Sequence, residues 1–341
     1  MRGMLKKKVC SLSPLRFVKI ISLTIITLVL VYAAIQRHKS QNMENFRNDN
    51  DNDKLNEKLL NDNDIKFLNE KEFENQMKLS DVFFKYLTTS DLHARNTSEV
   101  KHEDALSYAI YYRSSFREMT ENEKKIVIDA VIVANKLLIN YPNLRDLKWM
   151  FAKVSDGVEN NWPHTHNQAI ILNSQVISKP QDELVETLIH EKIHIYQRVF
   201  ASNINDLYTN YLSFTPIINS DGIKIPFDIL ERMRSNPDLN KKTYMFNKKF
   251  YITQLYNSTS PVSLSDSKVY AINPNNEHSM DILTNNMLGI PSQISCQLEH
   301  PNEISACIIS KIITKPNMFK DTLLMNNNFI NRIMQWMKKN L

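Results

Sequence analysis

His190 and His194 stand four residues apart with Glu191 directly after the first, inside the stretch Thr187 to Tyr196. An α-helix advances about 100° per residue, so this spacing sets both imidazoles on one face, where they can reach a single ion. Zinc accepts such a pair, and a catalytic zinc takes three protein ligands while keeping a position for water. Glu191, beside the first ligand, is placed to take a proton from that water. The flanking residues predict the helix: Leu184, Val185, Leu188, Ile189, Ile193, Ile195, Val199 and Phe200 make it strongly apolar. Two histidines and a glutamate in such a segment would be buried without partners unless a metal compensated them. Ser178 and Gln181 have capping-box spacing and Pro180 falls in the first turn, which predicts the helix start.

The motif His190-Glu191-Lys192-Ile193-His194 resembles the active-site helix of zincin metallopeptidases, whose signature is HExxH. Lys192 departs from the pattern, because that family generally has an uncharged residue there. The third ligand must come from elsewhere: the candidates are Glu303, Glu299, His300, Glu277, His278, His164 and His166. Glu303 is the first choice. It opens an apolar helix after His300 and Pro301, and it resembles the downstream glutamate-bearing helix of the gluzincin branch, where a glutamate completes the zinc site. A glutamate in a first turn also serves simply to stabilise a helix N-terminus. If Glu303 is only that, His300 or Glu299 inherits the role. The interval from His194 to Glu303 is longer than in the simplest gluzincins, which makes the strands between them an insertion.

Trp162 to His166 is the second informative stretch. Alternate residues of an extended chain share a face, so His164 and His166 point the same way, just ahead of an apolar strand at Ala169 to Leu172. They are candidates to face the zinc water and steady an oxyanion; a solvated turn is the competing reading. Tyr196, Tyr251, Tyr256 and Tyr270 are alternative oxyanion donors, each also readable as packing. In zincins an edge strand precedes the HExxH helix and pairs with the extended substrate, and the order of elements here is similar.

The rest of the chain frames this centre. Eight of its 42 basic residues lie in the first 39 positions, without one acid, which leaves 34 basic against 37 acidic residues downstream. Nothing in that balance argues for nucleic acid. Phe17 to Ile35 is an apolar stretch of 19 residues; at about 1.5 Å per residue it nearly matches the ~30 Å hydrocarbon layer. It reads as a transmembrane signal-anchor behind a cytoplasmic basic tail, residues 1–16, with the rest extracytoplasmic; a signal peptide cleaved near Ala33 is the rival, and would make the protein secreted. The Asn- and Asp-rich residues 36–79 read as a low-complexity stalk, and residues 80–341 as the globular domain. Within it, Thr120 and Glu123 have capping-box spacing ahead of an apolar helix, Lys148 to Val154 reads as a strand, and Asp156-Gly157 as a hairpin turn. Asn219 to Gly222 reads as another hairpin turn, Asp206 to Phe214 as helical, and the C-terminal part as helices over Pro301 to Ile313 and Asp321 to Lys339. Cys296 and Cys307 flank Glu303 and either pair in an oxidising compartment or stay as buried thiols.

These readings converge on an α+β fold: a zincin-like metallopeptidase domain with a small β-sheet and edge strand, then the active-site helix and a helical C-terminal part, behind an N-terminal transmembrane helix. The expected site is zinc on His190, His194 and Glu303, with Glu191 as base and His164 and His166 assisting. The expected partner is a peptide or protein substrate. A different class stays open, an interaction ectodomain of a surface or virion membrane protein that keeps the fold without turnover.

Overall fold

The computed structural model describes residues 65–341 except 80, 98, 219–222, 241, 277, 321–323 and 325. Two sheets and a set of helices make up the described chain, all within the compact unit Leu59–Leu341. The first sheet holds β1 (Ile65–Phe67), β2 (Phe116–Arg117), β3 (Trp149–Val154), β4 (His164–His166) and β5 (Ala169–Leu172). Its path is β1-β3-β5-β4, with β2 pairing on β3. β1, β3 and β5 run parallel, while β4 lies antiparallel to β5 with Thr165 opposite Ile170. β5 and β4 are buried at every position, and β5 is apolar throughout, as a parallel strand covered on both faces requires. The second sheet is an antiparallel meander, β6 (Phe214–Pro216), β7 (Tyr244–Phe246), β8 (Phe250–Tyr256), β9 (Ser267–Asn273) and β10 (Ser279–Ile282).

Six helices matter for the site: α1 (Thr89–Arg95), α2 (Ala105–Ser114), α3 (Glu121–Leu137), α4 (Gln181–Val199), α5 (Pro301–Thr314) and α6 (Asn328–Asn340). α3 forms with its capping box in place, the Thr120 hydroxyl accepting from Glu123 N at 3.2 Å and Glu123 Oε2 accepting from Thr120 N at 2.9 Å. α4 carries the HExxH residues and packs between α3 and α5. Its core-facing residues, among them Leu184, Leu188, Ile189 and Ile193, join the largest apolar cluster together with Ile304 and Ile308 of α5.

The structure corrects the expected fold in several respects. The sheet beside α4 mixes parallel and antiparallel strands, so the architecture is mixed α/β rather than α+β. No helix among the described residues is long and apolar enough to cross a membrane. The tail 1–16, the segment 17–35 and the expected stalk up to residue 64 lie outside the described residues, as does the turn at Asn219 to Gly222. The folded part starts earlier than residue 80, since β1 and the helix Glu70–Gln76 fall inside the expected stalk. Few apolar residues suffice there, because Phe67 needs only to stack on Phe151 and Phe73 is fully buried. The strand Ala169–Leu172 is internal, and the sheet edge is β4. Asp156-Gly157 does not make a hairpin; Gly157 takes φ +94° and leads into a short helical turn over Val158–Asn161, because the strand that β3 joins, β5, runs parallel to it. Ser178 and Gln181 form no capping box: α4 starts behind Pro180 with no side-chain cap, and the Ser178 hydroxyl donates to Gln175 O. Helical structure after Ala201 ends as a π-turn over Leu207–Tyr211, before Phe214 enters β6; α6 spans Asn328–Asn340, and the expected start at Asp321 lies outside the described residues.

Candidate metal centre

α4 and α5 lie side by side, and their facing residues bring three ligand-type atoms together. His190 Nε2 lies 3.0 Å from His194 Nε2, and the Glu303 carboxylate approaches them at 3.3 and 3.5 Å. These atoms all lie within 4.8 Å of one another. Their protonation follows from the surrounding bonds. Gln197, one turn beyond His194, donates through Nε2 to Asn302 O at 2.9 Å and Ser305 Oγ at 3.1 Å, which turns its Oε1 toward the histidine. His194 Nδ1 lies 2.8 Å from that Oε1 and therefore donates to it, leaving Nε2 with its lone pair directed at the other ligands. A lone pair aimed at a second imidazole and a carboxylate is the donor set zinc uses, and the residues present fit the ion. Burial works against charge on both partners, yet the Glu303 and Asp238 charges outweigh it and raise the His194 pKa, while His194 and His190 hold Glu303 well below the carboxylate range.

Glu191 is buried beside them. Its Oε2 accepts from the Thr165 hydroxyl of β4 at 2.9 Å. Burial pushes its carboxyl well above the ordinary range, and the nearby Asp238 adds to that push. Asp238 is itself buried, accepting from Thr165 N at 2.6 Å, and forms a second close group with Glu191 and His194. Asn236 donates to Glu303 Oε1 at 3.2 Å and to Glu299 Oε1 at 3.3 Å, tying Glu303 to its neighbour. Arg198 fastens the assembly from α4, donating to Thr165 O and Pro237 O at 2.9 Å each. A cavity of about 540 Å³ opens over His190, Glu191, Asp238 and Glu303, within the range of about 300–1,000 Å³ common for small-ligand sites. Cys307 lies one turn beyond Glu303 on α5 and also borders the cavity, bonded to Cys296 as a disulfide with Cα atoms 5.8 Å apart.

Of the sequence-predicted residues, His190, Glu191, His194 and Glu303 come together. His164 borders the same cavity, but β4 turns Thr165 toward Glu191 and commits the polar edges of His164 and His166 elsewhere. His164 Nδ1 donates to Trp162 O at 3.0 Å and its Nε2 accepts from Tyr112 OH at 2.5 Å, so neither nitrogen is open to an oxyanion. Burial lowers the His164 pKa and keeps the ring neutral. His166 sits among Phe83, Phe84 and Tyr112, with Asp81 Oδ2 at 3.3 Å. His300 caps α5 through Nδ1 and bonds Lys242 O through Nε2; burial pushes it down to about 4. His278 contacts Tyr251, and Glu277 lies outside the described residues. Lys192 turns to the other side of α4, where its ammonium bonds Leu147 O and lies 3.7 Å from the Trp149 ring centroid. Thr165, Gln197, Asn236 and Asp238 were not singled out by the sequence. Only Gln197 left a signal, three residues after a ligand on the same helix.

Compared with known proteins, the chain matches no family profile, no curated protein and no solved structure.

Proposed function

We propose that this protein is a zinc-dependent hydrolase that cleaves peptide bonds. The observation that supports the reading is the convergence of His190, His194 and Glu303 from two packed helices, with Glu191 next to them at the floor of one cavity. His190, His194 and Glu303 would hold the ion, and Gln197 and Asn236 would orient two of them. Zinc bound there supplies Lewis-acid polarisation and lowers the pKa of a water toward ~7. Glu191 acts as the proton carrier: it takes a proton from the attacking water and returns it to the leaving nitrogen. Thr165 keeps the carboxyl aimed, and Asp238 and Arg198 hold Thr165.

The reading is tested on the purified full chain by elemental analysis and by cleavage of a fluorogenic peptide library, with and without a chelator. One zinc per chain and chelator-sensitive cleavage are expected. Stoichiometric zinc without cleavage of any peptide would favour a non-catalytic role for the same centre, and absence of zinc would remove the reading altogether.

A further inference from the structure

One cation on the cavity wall has hydrogen-bonding capacity left over. Arg234 is fixed by the second sheet: its backbone N–H donates to Gln254 O of β8 at 2.9 Å. Its guanidinium lies over the Trp162 indole, 4.5 Å from the ring centroid, and one terminal nitrogen donates to Gln254 Oε1 at 2.7 Å. The Gln254 amide is itself oriented, because its Nε2 donates to Ser267 Oγ at 2.8 Å. Arg234 Nε is shielded from solvent and meets no acceptor. Among the described residues no carboxylate lies within ion-pair distance of this arginine; buried Glu299 acts on it only through its charge at longer range, and leaves the Nε–H without an acceptor. The other cations bordering the same cavity differ: Lys311 pairs with Glu186 at 2.7 Å, and Lys179 is exposed. Buried arginines are normally matched by acids, as Arg95 is elsewhere in this molecule; Arg234 is half-buried, with its Nε wholly shielded. Here the planar fork is held still on an aromatic shelf, at the rim of the cavity that holds Glu191 and Glu303. A fork of fixed N–H donors matches a carboxylate in geometry and charge.

Resting on the peptide-hydrolase reading, we infer that Arg234 is a substrate-anchoring residue that binds a carboxylate of the peptide near the scissile bond, with Trp162 as the floor of that subsite. The carboxylate comes either from the peptide C-terminus or from an aspartate or glutamate side chain. Both sources present the same chemistry to the fork, and they differ in what lies beyond it.

The test measures binding rather than turnover. Metal-free full-length protein carrying Glu191→Gln is titrated with three alanine-based pentapeptides: one with a free C-terminal carboxylate, one amidated, and one amidated with a single internal glutamate. Calorimetry and tryptophan fluorescence report affinity. At least one carboxylate peptide should bind about 10- to 100-fold tighter than the plain amide, and the tighter of the two identifies the source. Arg234→Gln should bring that peptide down to the amide's affinity, and Arg234→Lys should restore only part of the preference. Sodium acetate should displace the carboxylate peptide from the unmutated arginine site, which keeps the test decisive if Arg234→Gln does not fold. Equal affinity for all three peptides, or a preference that survives Arg234→Gln, would overturn the inference. Zinc content, measured separately, keeps the two proposals apart: carboxylate discrimination in a protein that takes no zinc would leave Arg234 standing and remove the metal centre.

Discussion

Among the described residues, two buried clusters of charge are built on opposite plans. In the first, Arg95 of α1 meets Asp91 and Glu159. Its Nε and one terminal nitrogen donate to the two Glu159 oxygens at 2.8 and 2.9 Å, and the other donates to Asp91 Oδ1 at 3.0 Å and Asp91 O at 3.2 Å. A further bond goes to Ser235 O at 3.0 Å, so the donor capacity of the guanidinium is filled. Tyr108 and Tyr256 satisfy the acids from the other side. In the second cluster, His190, His194, Glu191, Asp238 and Glu303 supply mainly acceptors, and the lone pairs of three of them face one another. The first set closes on itself and fastens α1 to the 159 and 235 segments. The second leaves an electron-rich gap that a cation would fill. Burial alone therefore does not mark a site; the balance of donors and acceptors does.

The sharpest way to break this contrast is to change one carboxyl in each cluster without changing its shape. On the proposed function, Glu191→Gln should lower peptide turnover about 10²- to 10⁴-fold while zinc content stays at the wild-type level, because it would remove the proton carrier and no ligand. Steady-state kinetics with elemental analysis on the same preparation check both halves, and turnover near wild type would refute the assigned role of Glu191. Arg95→Met should act on stability instead. It leaves Asp91 and Glu159 buried without their counter-charge, which typically costs about 3–5 kcal/mol, read as a lower urea midpoint. Zinc binding by the folded fraction should be unchanged. Next in size comes Gln197→Leu: it removes the acceptor that fixes the His194 tautomer, so zinc affinity should fall about 10- to 100-fold in a competition titration with a fluorescent chelator.

How much of this was legible in the sequence follows from how local each feature is. His190, Glu191 and His194 are fixed by one helix, so spacing alone placed them. Glu303 was found through its own helix, although the 109 positions separating it from His194 gave no distance. Asp238 and Asn236 sit on a connecting segment that reaches the site only through the tertiary fold, and no periodicity announces them. The phase of β4 failed for a definite reason. A strand with one solvated face reveals its register by alternation, but His164, Thr165 and His166 are all buried, so no polarity difference distinguished the two faces. The parallel pairing of β3 and β5 was hidden likewise, because two short apolar runs joined by a turn read as a hairpin whichever way the second strand runs.

The comparison is sharpened further by pH, because Glu299, beside the second cluster, and Glu159, within the first, respond with opposite sign. Glu299, behind Asn236, is pushed up to about 7 by burial, with the Glu303 charge adding to it. Its folded form holds the proton more tightly than the unfolded chain does. The associated stability is therefore complete below the ordinary glutamate pKa and is lost as pH rises through about 7. Burial also opposes charge on Glu159, but Arg95 outweighs it and lowers the pKa, so that group's contribution is present above the ordinary range and lost as pH falls through the depressed value. Metal-free protein carrying Glu299→Gln should consequently lose less stability between pH 5 and pH 8 than the parent, measured as urea midpoints. A pH dependence unchanged by the substitution would show that Glu299 does not titrate in that window.

The smallest effect is expected at Lys192, the residue that breaks the usual pattern inside the motif. At about 100° per residue it lies roughly 200° around α4 from His190, while His194 returns to within about 40°. The ammonium accordingly serves the opposite interface, bonding Leu147 O and resting on Trp149, whose own indole N–H donates to Asn135 of α3 at 3.0 Å. Lys192 thus ties α4 to β3 and lies on the far side of the helix from the ligands. Lys192→Met keeps the length of the side chain and removes a buried charge together with its carbonyl bond and ring contact. These changes partly offset, so stability should shift by about 1–2 kcal/mol. Turnover and zinc affinity should change by less than about 2-fold, since the Leu147 and Trp149 contacts lie on the opposite face of the helix from His190 and His194. A tenfold loss of turnover in a variant of near-normal stability would mean that the position of α4 against β3 sets the geometry of His190 and Glu191, and that the two faces of this helix are coupled rather than independent.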